Sequence, residues 1–176
     1  MSYFKNLIIF LCISQASLFS NELLSVKTFE ASFTQSIVNP SGNEVKYDGV
    51  LYIQEPDIIK WQYKTPIEKL VYVKKKSVTI IEPELEQAIV TKIDQEINII
   101  NLLKNATKIS KNNYLSLFNN VEYSLTIENS KLTKIAYKDE IENNVMISFA
   151  NIQQNHKIDQ NVFRFSIPMH FDIIKK

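Results

Sequence analysis

Cysteine, glycine and arginine are nearly missing from this chain. Among 176 residues there are one Cys and two Gly, and Arg164 is the sole arginine. A single thiol builds neither a disulfide framework nor a zinc site of several thiolates. His156 and His170 are the only histidines, and neither has metal-ligand spacing to a carboxylate or a Cys. Both read as surface or structural residues. There is no Gly-rich phosphate loop and no G-x-S-x-G elbow, and Asp57, Asp139 and Asp159 stand near turns, where Asp is a structural default. With 20 basic and 19 acidic side chains, the basic surplus of a nucleic-acid binder is missing too. The scarcity of Arg beside heavy use of Ile, Lys and Asn fits a base-composition bias in the gene. These absences predict a protein that is not an enzyme and has no cofactor, no metal and no nucleic-acid partner.

What is present is apolar material: 45% of the residues, enough for the full core of one domain. The first 20 residues read as an export signal. Lys5 and the amino terminus form a short positive region, and Leu7–Ile13 is an apolar run too short to span a bilayer. Small residues then allow cleavage after Ala16 or after Ser20. Cys12 lies inside the apolar run, preceded by Ile9, Phe10 and Leu11, and reads as filler in the signal rather than as a lipidation site. The expectation is residues 1–16 (or 1–20) as a cleavable signal, then a single domain over 21–176 without cysteine or membrane anchor.

That domain reads as β-rich. After a short N-terminal helix expected behind Asn21, Phe29, Ala31, Phe33 and Ile37 share one face of a strand. Asn39–Asn43 is a turn cluster. Val45, Tyr47, Leu51 and Ile53 alternate again, with Gly49 as a bulge or bend. Ile59, Trp61 and Tyr63 form the next face. Leu70–Val73 and Val78–Ile81 are strands joined by Lys74, Lys75 and Lys76, which read as a solvated hairpin tip. Leu85–Ile93 resumes as strand, and further strands are expected at 114–118, 121–128, 131–137, 144–150 and 162–167. Asn119–Asn120, Asn129–Ser130 and Asn143–Asn144 separate some of them, Asn tolerating the positive φ that Gly would otherwise supply. Strands at such short spacing predict one antiparallel sheet that curls on itself. Residues 95–104 break the rhythm. Ile97, Ile100 and Leu103 fall on one helical face, Ile99 and Leu102 widen it, and the acidic start and Lys104 end suit a helix dipole. A helix this broadly apolar needs cover on more than one side, which a curled sheet would supply.

With these motifs in order, the chain resembles the periplasmic outer-membrane lipoprotein carriers, the LolA family. Phe29-Glu30-Ala31-Ser32-Phe33-Thr34-Gln35 matches its F-x-A-x-F-x-Q strand. Gly49-x-Leu51-x-Ile53-x-x-Pro56, followed by Ile59-Lys60-Trp61, resembles its G-x-L-x-[IV]-x-R-P stretch. Glu82-Pro83-x-Leu85-x-Gln87 follows, and Phe163-Arg164-Phe165-x-x-Pro168 with Phe171-Asp172-Ile173-Ile174 fits the closing strand. Residues 98–150 match in rhythm only.

The resemblance implies an unclosed, strongly curved antiparallel half-barrel, mainly β, with a helical lid over its concave apolar face. It implies a monomeric, non-enzymatic carrier. Such a carrier accepts acylated lipoproteins from an inner-membrane ABC transporter and delivers them to an outer-membrane acceptor across the periplasm. On that reading Phe33, Leu51, Ile59, Trp61 and Tyr63 line an acyl-chain cavity, and Ile97, Ile100 and Leu103 face them from the lid. Residues of an ordinary core would look the same in sequence. The family commonly has an Arg before the Pro of its second motif, understood to hold the lid closed. Here that position is Glu55, and a carboxylate cannot donate. The family's Asp-Gly turn is Lys74-Lys75, and an aromatic pair in the next strand is Thr79 and Ile81. These departures leave open another acyl-binding module on the same half-barrel, an envelope sensor or an outer-membrane acceptor, the latter anchored through a lipidated Cys12.

Overall fold

The computed structural model describes residues 25–56, 58–92 and 99–176. Twelve strands form one sheet: β1 (Thr28–Val38), β2 (Glu44–Gln54), β3 (Ile58–Thr65), β4 (Lys69–Lys74), β5 (Ser77–Glu82), β6 (Gln87–Lys92), β7 (Thr107–Lys108), β8 (Asn113–Phe118), β9 (Val121–Glu128), β10 (Lys131–Lys138), β11 (Asn144–Gln154) and β12 (Asp172–Lys175). Their spatial order is β12-β6-β5-β4-β3-β2-β1-β11-β10-β9-β8-β7. Every neighbouring pair is antiparallel except β12 with β6, which is parallel. β7 and β12 end the order without pairing each other, so the curved sheet is mainly β and unclosed.

The period-two pattern sets the faces. In β1, Phe29, Ala31 and Phe33 are buried while Thr34 points to solvent. The same alternation in β9 buries Tyr123, Leu125 and Ile127. Helix α1 (Ile99–Lys104) lies in the same apolar cluster as the inner faces of β1, β2, β3 and β9–β11. A register shift opposite Glu30 and Ser32, where Asn151 has φ 54°, bends β11 along β1. Another shift sits at Asp48 and Gly49 against β3, where the sequence reading places a bulge.

Asparagine does supply turn geometry. Asn119 and Asn120 have φ of 50° and 62°, and Asn129 and Ser130 have 50° and 61°, the double positive φ of tight hairpins. The turn after β10 begins earlier than expected, at Asp139. Asp139 Oδ1 accepts from the backbone N–H of Ile141 and of Asn143, as Asn39 Oδ1 accepts from Asn43 N–H in the turn after β1.

Two expectations need correction or restriction. Residues 162–167 are not a strand. Asp159 accepts from Asn161 N–H and starts a 3₁₀ turn over Gln160–Phe163. The tail then crosses the outer face of β4–β6, where Ile167 and Phe171 pack on a second small cluster of Tyr72, Ile81 and Ala88. Of the helix expected behind Asn21, residues 25–27 are turn and irregular chain, and residues 21–24 lie outside the described residues.

Candidate functional site

The inner face of β1–β3 is an aromatic wall. Phe33 meets Trp61 at 5.0 Å and Tyr63 at 5.2 Å between ring centroids, both edge to face, and Tyr47 meets Tyr63 at 5.8 Å. Gly49 permits this wall. A Cβ there would lie 2.1 Å from the Gln62 carbonyl oxygen and 2.7 Å from the Phe33 ring. Its role is close approach rather than positive φ.

Between the wall, α1 and the opposite half of the sheet is a cavity of about 180 Å³. Trp61 and Tyr63 border it from β3, Ile99 and Leu102 from α1, and Ile135 and Ile147 from β10 and β11. Its polar edges are Gln35, Tyr123 and Tyr137. The Tyr63 hydroxyl donates to Gln35 Oε1 at 3.2 Å. Burial pushes the Tyr63 phenol up to about 12, with the neighbouring Tyr137 and Tyr47 adding to it. Burial likewise pushes Tyr137 up to about 12, helped by Tyr123 and Asp139.

The residues picked from sequence divide into two groups. Trp61 and Tyr63 border the cavity. Phe33, Leu51 and Ile59 are 3%, 0% and 2% exposed and belong to the surrounding core. Ile100 and Leu103 lie in that core too, so the helix turns its other flank, Ile99 and Leu102, to the cavity. Ile97 lies outside the described residues. The β9–β11 contribution and Gln35 were missed. Gln35 had a signal: it is the polar interruption on the face shared by Phe29, Ala31, Phe33 and Ile37.

Glu55 sits in the turn between β2 and β3 and pairs with Lys104 in the last turn of α1. The two histidines do structural work. His156 carbonyl accepts from Thr28 Oγ1 at 2.8 Å, with its Nε2 3.2 Å from Glu30 Oε2, and His170 packs edge to face on Phe171. Among the described residues, no three His, Cys, Asp or Glu gather as metal ligands would.

Comparison with known proteins points the same way as the site. Residues 24–122 match the family described as outer membrane lipoprotein carrier protein LolA. An outer-membrane lipoprotein carrier protein of Campylobacter jejuni is 36% identical over 96% of this chain and 97% of its own. Its counterpart in Wolinella succinogenes is 30% identical over 86% of this chain and 89% of its own. A conserved protein from Thermus thermophilus of unstated function shares the fold at 8% identity, with a TM-score of 0.54 over 89% of this chain and 95% of that one. With the family's motifs arrayed along β1–β3 and a relative matching nearly end to end, the chain belongs to the outer membrane lipoprotein carrier protein family, LolA.

Proposed function

We propose that this chain is a soluble periplasmic carrier. It takes acylated lipoproteins released by an inner-membrane ABC transporter, shields their acyl chains and passes them, as a monomer, to an outer-membrane acceptor. The observation that carries this reading is the apolar cavity between α1 and the inner face of an open sheet. Each methylene withdrawn from water is worth about 0.8 kcal/mol, so several acyl chains cannot cross an aqueous compartment bare. An apolar hollow large enough for them must itself be covered when empty.

On this reading α1 is that cover. A cavity of about 180 Å³ is below the roughly 300–1,000 Å³ of ordinary ligand pockets. Cargo therefore requires α1 to leave, taking Ile99 and Leu102 off the wall and opening the space above Trp61 and Tyr63. Displacing the helix opposes binding, which keeps the grip moderate and lets the next acceptor win the cargo. The Glu55–Lys104 pair holds the helix end to the sheet. Its polarity is the reverse of an arginine latch: the donor is on the helix and the acceptor on the sheet.

The test is release of a labelled lipoprotein from inner-membrane spheroplasts into the soluble fraction on adding the purified protein. Release in proportion to the protein added is the expected result. No release above a buffer control rejects the carrier reading.

A further inference from the structure

The cavity is not a plain hydrocarbon sink. Gln35 is 9% exposed and stands on the apolar face of β1, in register between Tyr47 of β2 and Ile147 of β11. Its Oε1 is occupied by the Tyr63 hydroxyl. That leaves the two Nε2 protons for something else, and among the described residues no group accepts them. Tyr137 borders the same cavity, and its hydroxyl likewise has no hydrogen-bond partner among the described residues. Both side chains line the cavity, which puts these donors at its wall.

A saturated chain packed against these donors would strip their water and offer no acceptor in return, which is unfavourable. A guest that brings a carbonyl oxygen to the same place satisfies them. Acyl chains joined through esters carry such an oxygen at their root.

We propose that Gln35 and Tyr137, with Tyr63 fixing the Gln35 amide, form a carbonyl-recognition site in the cavity wall. It binds an ester carbonyl oxygen at the root of the cargo's acyl chains. Gln35 Nε2 and the Tyr137 hydroxyl donate, and the Tyr63 hydroxyl holds Oε1 so that Nε2 faces the guest. This inference rests on the carrier reading and adds to it a chemical criterion. Chain length gives affinity, and the linkage decides which apolar molecules are held. A site built to hydrogen-bond a polar group discriminates against an analogue that lacks it far better than an apolar pocket counts methylenes.

The test compares two probes that differ only in that linkage: didecanoylglycerol, with two ester carbonyls, and didecylglycerol ether, with none. Each displaces an environment-sensitive fluorescent fatty acid from the purified protein. The ester is expected to compete about five-fold or more better than the ether. In Gln35→Leu and Tyr137→Phe the ratio of the two should fall toward one. Tyr137→Phe removes a single oxygen atom and preserves the ring packing on Tyr123, so folding is retained and checked by the thermal midpoint. Equal competition by ester and ether in the unaltered protein overturns the inference and leaves the carrier reading standing. So does a ratio that both substitutions leave untouched. Failure of both probes to displace the fluorophore overturns both.

Discussion

Lys104, at the end of α1, donates to the carboxylate of Glu55 in the turn joining β2 to β3. The pair ties the helix to the sheet by charge. Both side chains are partly exposed, at 39% and 26%, so the contact belongs with surface pairs worth about 0.2–1 kcal/mol.

On the carrier reading, a bond of that size tunes the opening of α1 without blocking it. Glu55→Gln should raise the opening of α1 by about two- to five-fold, read as faster amide exchange over residues 99–104. Glu55→Lys alone should do at least as much through repulsion. Combining it with Lys104→Glu should return exchange close to the original rate. High salt should speed the unaltered protein and leave Glu55→Gln almost unchanged. Failure of the exchanged pair to restore slow exchange would show that the contact does not hold the helix.

Gly49→Ala should destabilise the fold by about 2 kcal/mol or more, measured by urea unfolding. The added Cβ meets the Gln62 carbonyl at 2.1 Å as well as the Phe33 ring at 2.7 Å. Adding Phe33→Leu should therefore give no full rescue, because the backbone clash remains.

Tyr63 and Tyr137 should titrate late. Their phenols are pushed by burial from 10.0 up to about 12. A phenol raised in the fold keeps its proton after the unfolded chain has lost it. The folded state then binds more protons between pH 10 and 12, so this contribution is complete below pH 10 and is lost as pH rises toward 12. Phenolate absorbance should show a late fraction among the eight tyrosines. Tyr63→Phe and Tyr137→Phe should each remove part of that fraction and flatten the loss of stability in alkali.

Ile59→Ala should cost about 2–4 kcal/mol in unfolding free energy. Ile59 is 2% exposed, between Ile53 of β2 and Val73 of β4 in register. Ile59→Glu, which from sequence alone would be read as a change to cargo handling, places an unpaired charge in that core and should prevent stable folding. Trp61→Leu, at the cavity edge, should cost less stability and change probe affinity more.

The strand rhythm was legible because alternation reports directly which side of a pleat is buried. From Phe29 to Tyr63 it gave the faces and their order. It could not separate Ile59, which packs solidly, from Trp61, which borders a gap, since both alternate identically. The β9–β11 wall was hidden for another reason. Ile135, Tyr137 and Ile147 become neighbours of Trp61 only through the curvature of the sheet and the pairing of β1 with β11. Gln35 was visible as a polar residue on an apolar face and was passed over. The strand expected at 162–167 failed because a side-chain bond from Asp159 outcompetes the local apolar pattern. Lys104 opposite Glu55 is a contact across 49 residues, beyond what spacing along the chain can report.

The central position of β1 has a consequence for how the chain reaches its structure. Its partner on one side, β2, follows directly, but its partner on the other is β11, and Thr28 meets His156 across 128 residues. The middle of the sheet can be completed only after nearly all of the chain is available. High contact order of this kind slows folding. An unfinished molecule would show an unpaired β1 edge beside an apolar face. The pairing that joins the two halves of the sheet is thus a late step in assembly, and β11 truncated at Phe149 should leave a chain that aggregates rather than a smaller carrier.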